Sequence, residues 1–315
     1  MAPSMNIGVN IRQHWRYLTK ILAHPLVKRR RLATLLTVSW WKLNQWLFHL
    51  PVVVQLTPEA KIICPPSSAY GSYIVYAHFP EFAEMQLAYH YLDTDDVFID
   101  VGSYPGDFAL LAASKITRGK VIAVEPNPQS RQLIKDNIAL NGWQRRIKLV
   151  DQAVGQAVGR HGWVSGGPAE TNRLAAVAPT TTVATTTTTT TSTAVETTTV
   201  DALLHAQKLS RVDFIKIDVE GAEGLVFAGA KQALRYHRLK VVLFEVNLGM
   251  KRYGLTVDDT VGPLLGYRYR LYQFDADGKL VQLPKKLPTV TTTTNWLAVS
   301  ADMVGHPRLK PFVAG

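Results

Sequence analysis

At 315 residues the chain is long for one small domain and short for two large ones, so one full-size domain with an addition is expected. An apolar fraction of 47% excludes wholesale disorder, and the single cysteine, Cys64, excludes a disulfide framework or a multi-cysteine zinc site and fits a reducing, cytoplasmic setting. The net charge of +11 is lopsided: no Asp or Glu precedes Glu59, while Arg12, Arg16, Lys20, Lys28, Arg29, Arg30, Arg31 and Lys42 do, so residues 1–58 carry +8.

The basic N-terminal segment, residues 1–58, lacks the compact basic start, short apolar core and small-residue cleavage site of a secretory signal. Residues 32–54 are its most apolar stretch, but Lys42, Asn44, Gln45, His49 and Pro51 interrupt them. A spanning helix needs about 20 mostly apolar residues, so none is expected here. Leu32, Leu35, Leu36, Leu43, Leu47 and Leu50 recur at three-to-four spacing beside Trp40, Trp41 and Trp46, which predicts an amphipathic helix ended by Pro51. Two uses compete for it. One is a cap on the body of the protein; the other is a peripheral contact of residues 1–50 with an anionic membrane, whose surface attracts basic side chains and tryptophans. Residues 59–95 read as a lead-in.

From Asp96 the texture changes. Residues 97–101, 120–125, 147–150, 212–217 and 241–246 read as buried strands, with helices predicted over 108–116, 128–140 and 222–236. Asn127 suits an N-cap, with Pro128 at the first helical position. Such alternation argues for an α/β domain over residues 96–300, built on a mostly parallel sheet. Segments 267–274 and 279–283 flank Asp275-Ala-Asp-Gly278, a hairpin signal, and 294–300 supplies a final strand. Residues 301–315 are expected to be a tail. Residues 180–199 hold fourteen threonines, including the unbroken run 185–191, with a shorter run at 291–294. A run of one residue specifies no register, so the long patch is expected to be a surface loop.

Two clusters carry chemistry. Asp100-Val-Gly-Ser-Tyr-Pro-Gly-Asp-Phe108 follows the first strand and opens a helix. Gly102 and Gly106 permit a tight turn and close approach by a ligand, and the helix N-terminus offers free amide donors. Asp100 suits an ammonium group, and Glu125, at the end of the next strand, suits the two hydroxyls of a ribose. A dinucleotide site wants G-x-G-x-x-G, whereas the spacing here is G-x-x-x-G with an acid before the first glycine. That favours S-adenosylmethionine over NAD. The second cluster, Lys216-Ile-Asp-Val-Glu-Gly-Ala-Glu223, ends the fourth core strand. Asp218 and Glu220 are candidates to face the same crevice and remove a proton from a hydroxyl, with Glu245 as a further candidate. Glu223 has a plainer use, complementing the positive end of the next helix. No metal site is expected.

Asp96-Val-Phe-Ile-Asp-Val-Gly102, Val124-Glu-Pro-Asn-Pro128, Asn137-x-x-Leu-Asn141, Thr199-Val-Asp-Ala-Leu-Leu204 and Asp213-Phe-Ile-Lys-Ile-Asp-Val-Glu-Gly-Ala-Glu223 occur in this order. With these motifs, residues 75–300 resemble the FkbM family of S-adenosylmethionine-dependent methyltransferases. The resemblance implies a Rossmann-like class I methyltransferase fold and O-methylation of sugars, glycolipids or natural products. It makes Asp100 and Gly102 cofactor-loop positions, Glu125 the ribose ligand and Asp218 a crevice residue; Ser103, Gly106 and Asp151 are the other cofactor-binding candidates. Where family members commonly carry Ala-Asn after the first glycine, this chain has Ser103-Tyr104. Two other readings compete: a nucleic-acid methyltransferase, suggested by the basic charge, and a non-catalytic module on a degenerate fold. The first is disfavoured because Asp218-Val-Glu-Gly221 stands where base-amine methyltransferases carry an Asn/Asp-Pro-Pro-aromatic motif, and because the acidic residues would repel phosphates.

Overall fold

The computed structural model describes residues 19, 21–28, 30–165, 173–174 and 191–314. The chain divides into two compact units: Met1–Leu56 with Ile62–Phe82, and Thr57–Lys61 with Ala83–Gly315. Residues 59–95 are therefore shared between the units and do not form a separate lead-in.

In the first unit a single turn, Pro25–Lys28, precedes helix α1 (Arg31–Leu47), the predicted N-terminal helix. It stops ahead of Pro51 because Asn44 closes its last turn. The Asn44 carbonyl accepts from the N–H groups of Phe48 and His49 at 3.1 and 2.8 Å, and its side-chain amide donates to the Leu50 carbonyl at 2.8 Å. The faces of this helix are inverted relative to an ordinary surface helix. Thr34, Trp41 and Asn44 are buried, whereas Leu32, Leu36, Trp40, Leu43, Trp46 and Leu47 are exposed. The Trp41 indole donates to Ser72 Oγ at 2.9 Å, and the Gln45 amide donates to the Pro66 carbonyl at 2.6 Å. Beyond α1 lie a two-stranded sheet of β1 (Val52–Gln55) and β2 (Lys61–Cys64), and helix α2 (Ala69–Ala77), capped by Ser68.

Helix α3 (Phe82–Tyr91) leads to the main sheet of the second unit. In chain order its strands are β3 (Val97–Val101), β4 (Lys120–Val124), β5 (Ile147–Val150), β10 (Val212–Ile217), β11 (Leu239–Val246), β12 (Arg270–Phe274), β13 (Leu280–Gln282) and β14 (Thr294–Val299). In space the order is β13-β12-β14-β11-β10-β3-β4-β5. The five strands from β11 to β5 are parallel, and β14, β12 and β13 add antiparallel pairs, as the sequence predicts. Every residue of β10 is buried, and Ile99, Ile215, Val242 and Phe244 belong to the core. Helix α4 (Asp107–Lys115) packs on β3 and β4, and helix α5 (Pro128–Leu140) on β5. Asn127 caps α5 as expected, accepting from the N–H groups of Gln129 and Ser130. The first strand of the sheet in sequence, β3, lies between β4 and β10, so the chain order reverses there. Ligands of open α/β sheets bind outside the carboxyl ends of strands at such a switch point.

Three expectations need correction. Part of the threonine patch is a strand: β9 (Thr191–Thr198) pairs with β7 (Gly159–Ser165) in a small second sheet with β6 (Ala153–Val154) and β8 (Arg173–Leu174). Its register comes from the partner strand, where Arg160 faces and ion-pairs with Glu196. Residues 180–190 of that patch lie outside the described residues. The helix predicted over 222–236 is two, α7 (Glu223–Ala228) and α8 (Lys231–Arg235), following α6 (Val200–Ala206). They part at Gly229, where a Cβ would fall 2.1 Å from the Gly155 carbonyl oxygen, and the start of α8 is capped by the carboxylate of Asp201. Residues 301–314, expected as part of a tail, are packed on the domain: Leu309 is buried, Arg308 pairs with Asp96 at 2.6 Å, and Ala314 N–H donates to the Leu280 carbonyl.

Candidate active site

The glycine loop leaves β3 at Asp100, which is wholly buried. One of its carboxylate oxygens accepts from Ser103 Oγ at 2.7 Å; the other is buried with no hydrogen-bond partner among the described residues. Burial pushes the Asp100 carboxyl up to about 6, against the opposing pull of the Lys216 charge and the Ser103 hydroxyl. Gly102 takes φ +78°, and a Cβ there would lie 1.9 Å from the Asp218 carbonyl oxygen. Only glycine permits this approach. Gly106, at φ +97°, is the N-cap position of α4. Behind the loop, Asn137 donates to the Pro105 carbonyl at 3.1 Å.

Glu125 follows β4 and is buried. Its carboxylate accepts from the Asn127 N–H at 2.8 Å and is also bonded by the Tyr104 N–H, which ties the glycine loop to the end of β4. Burial pushes it up to about 7, against Asn127 and the Arg131 charge. Asp151 is exposed and ion-paired with Arg131, whose guanidinium also reaches the carbonyls of Glu125 and Pro126. All six sequence-predicted cofactor positions therefore sit at the carboxyl ends of β3, β4 and β5, with Asp151 at the exposed margin.

The acidic cluster adjoins the loop: Asp218 N–H donates to the Val101 carbonyl at 2.9 Å. Asp218 is ion-paired with Lys216 at 2.8 Å, and the Lys216 ammonium also lies 4.6 Å from the Phe108 ring centre. A lysine in a fully buried strand needs such partners, and that is the signal by which Lys216 stands out in the sequence. Glu220 adopts φ +57°, a conformation that costs a non-glycine residue about 1 kcal/mol or more. Gly221, at φ +96°, packs so closely on Gly249 that a Cβ would lie 2.3 Å from its carbonyl carbon. Glu223 turns back and accepts from the N–H groups of Val219 and Gly221 at 3.0 and 3.3 Å. It thereby closes the loop ahead of its own helix.

Carboxylate oxygens of Asp218, Glu223 and Glu245 lie within 4.8 Å of one another, a spacing that admits a metal ion. The repulsion can equally be relieved by a proton. Burial and the neighbouring charges of Asp218, Glu220 and Glu223 push Glu245 up to about 9, and burial pushes Glu223 to about 7. Glu245 accepts from the Asn247 side-chain amide, whose oxygen accepts from Gly249 N–H at 2.6 Å. Asn247, which the sequence reading passes over, is thereby the link between β11 and the Gly221–Gly249 contact.

The profile of the Methyltransferase FkbM domain matches residues 100–271. No curated protein matches the chain in sequence. In structure the chain is similar to a precorrin-6Y C5,15-methyltransferase from Geobacter metallireducens, at 15% identity over 70% of this chain and 89% of that one, with a TM-score of 0.38. It is similar to an S-adenosylmethionine-dependent O-methyltransferase from Thermotoga maritima, at 12% identity over 70% and 66% of the two chains and a TM-score of 0.36. It is also similar to an rRNA methylase from Streptococcus thermophilus, at 13% identity over 68% and 91%, with a TM-score of 0.36.

Proposed function

From the premise that the chain belongs to the FkbM methyltransferase family, with a Rossmann-like class I fold and S-adenosylmethionine as its methyl donor, we propose that it methylates a hydroxyl on a sugar, a glycolipid or a natural product. The residues fit the donor. The partnerless buried oxygen of Asp100 wants a cationic or N–H donor, which the ammonium of S-adenosylmethionine provides, and Glu125 has acceptor capacity for a ribose diol. Gly102, Ser103 and Gly106 shape the loop between them, with Asp151 at the margin. When bound, the donor supplies an electrophilic methyl group.

The chain's own task is then to hold the acceptor, exclude water and take up the hydroxyl proton. Asp218, oriented by Lys216, and Glu220 are the proposed bases. Glu245, pushed up to about 9 by burial and by its neighbours' charges, suits a hydrogen-bond donor to the acceptor better than a base. Glu223 is occupied by two backbone N–H groups.

The observation that carries this reading is the acidic cluster packed against the glycine loop. Such a wall repels phosphates and suits an uncharged hydroxyl acceptor, which counts against a nucleic-acid substrate despite the basic net charge. The test is transfer of labelled methyl to a panel of glycans, glycolipids, small metabolites and RNA. Label recovered as a methyl ether on a hydroxyl supports the proposal. Label on an RNA base, or donor binding without transfer to any acceptor, overturns it.

A further inference from the structure

Helix α1 turns its apolar residues outward. At 3.6 residues per turn, Leu35, Trp46, Leu32, Leu43, Leu36, Leu47 and Trp40 fall within an arc of about 140°, and all of them are exposed. Leu32, Leu36 and Trp46 are 80%, 73% and 74% exposed, and Phe48 and Leu50 continue the stripe past the helix end. The opposite face is spoken for: Trp41, Asn44 and Gln45 hydrogen-bond to Ser72, Leu50 and Pro66. Rotating the helix to hide its leucines would break these bonds, so the outward apolar face is built into the unit. A patch of this kind on a water-soluble surface marks a place where something binds.

The charge around the face identifies the occupant. Arg31 and Lys42 lie along one edge of the stripe, Lys28 and Arg30 are exposed just ahead of it, and no acidic residue precedes Glu59. We propose that this face of α1 docks in the plane of an anionic lipid surface, with its leucines and tryptophans at the headgroup–acyl boundary and its lysines and arginines against lipid phosphates. A second copy of the chain fits less well. An antiparallel two-fold contact through this stripe would bring Arg31 and Lys42 of the two copies along the same edge, like charge against like. No helix among the described residues is long and apolar enough to cross a membrane, so the contact is one of surface partition.

The test is co-sedimentation of the full chain with vesicles of phosphatidylcholine alone and with phosphatidylglycerol added, at low and high salt. Two variants accompany it: Leu36→Gln/Trp40→Gln/Leu43→Gln/Trp46→Gln, and Lys28→Glu/Arg31→Glu/Lys42→Glu. All the substituted side chains are exposed or half-buried, and circular dichroism checks that both variants are folded. Binding that requires the anionic lipid, weakens with salt and drops more than about tenfold in each variant is the expected result. Three results overturn the proposal: no binding to anionic vesicles at low salt, binding undiminished by the four apolar substitutions, or a dimer that those substitutions abolish while vesicles are ignored. If a variant misfolds, quenching of wild-type tryptophan fluorescence by brominated lipid decides. Quenching supports insertion, and its absence contradicts it.

Discussion

Helix α4 buries seven consecutive residues, Asp107 to Ala113, while α1 leaves Leu32, Leu36, Leu43, Trp40 and Trp46 in solvent and buries Thr34 and Asn44. Both helices are rich in leucine and carry aromatic side chains. The difference lies in what surrounds them. Helix α4 lies against β3, β4 and β5, whose buried residues are mostly apolar, so burial is its lowest-energy state. Helix α1 faces Ser72 and backbone carbonyls, and there hydrogen bonds from Trp41, Asn44 and Gln45 decide which side turns in. Hydrophobic periodicity identifies a helix and its stripe. It does not say whether the stripe faces a core or an external partner.

The largest effect is expected at the loop before α4. Gly102→Val places side-chain atoms against the Asp218 carbonyl in a left-handed conformation, and a loss above about 4 kcal/mol in denaturant unfolding is expected. Next, Phe108→Ala in α4 should cost about 3–5 kcal/mol, because Phe108 is fully buried. A loss below about 1 kcal/mol would mean that α4 is not wrapped as described.

The buried carboxyls give an intermediate effect. Glu125 and Glu223 rise from 4.5 to about 7 and Glu245 to about 9, so each binds its proton more tightly in the folded chain than in the unfolded one. Their stabilising contribution is complete below the unfolded value and is lost as pH rises through the folded values, so Tm should fall between about pH 5 and 9. Glu245→Gln should flatten the upper part of that fall and melt above the wild type at pH 9. An unchanged pH profile would show that Glu245 is ionised throughout. The smallest effect belongs to α1: Leu36→Ala should change stability by no more than about 0.5 kcal/mol. A core-sized loss there would erase the contrast with α4.

Much of the catalytic unit is legible from residue pattern. The apolar runs at β3, β4, β10 and β11, the Asn127-Pro128 cap and the Asp275–Gly278 turn are local signals, and each is where the sequence places it. Gly102, Asp100 and Glu125 are legible for the same reason. What is not legible depends on distant atoms. The break between α7 and α8 rests on Gly155 and Asp201, and the strand at β9 takes its register from Arg160 across the sheet. Helix α9 (Val257–Gly266) contains Pro263, which masks it, although the capping box of Thr256 and Asp259 marks its start. In the site, burial and then the carboxylates contributed by a different strand end push Glu245 up, which no local motif displays.

In the proposed function the glycine loop and the acidic cluster form one site with divided labour, the loop holding the donor and Asp218 acting on the acceptor. Asp218→Asn separates the two. Calorimetric affinity for S-adenosylhomocysteine should stay within about twofold of wild type, while turnover on a hydroxyl acceptor falls by about 10²–10⁴. Unchanged turnover in that variant would rule out Asp218 as the base.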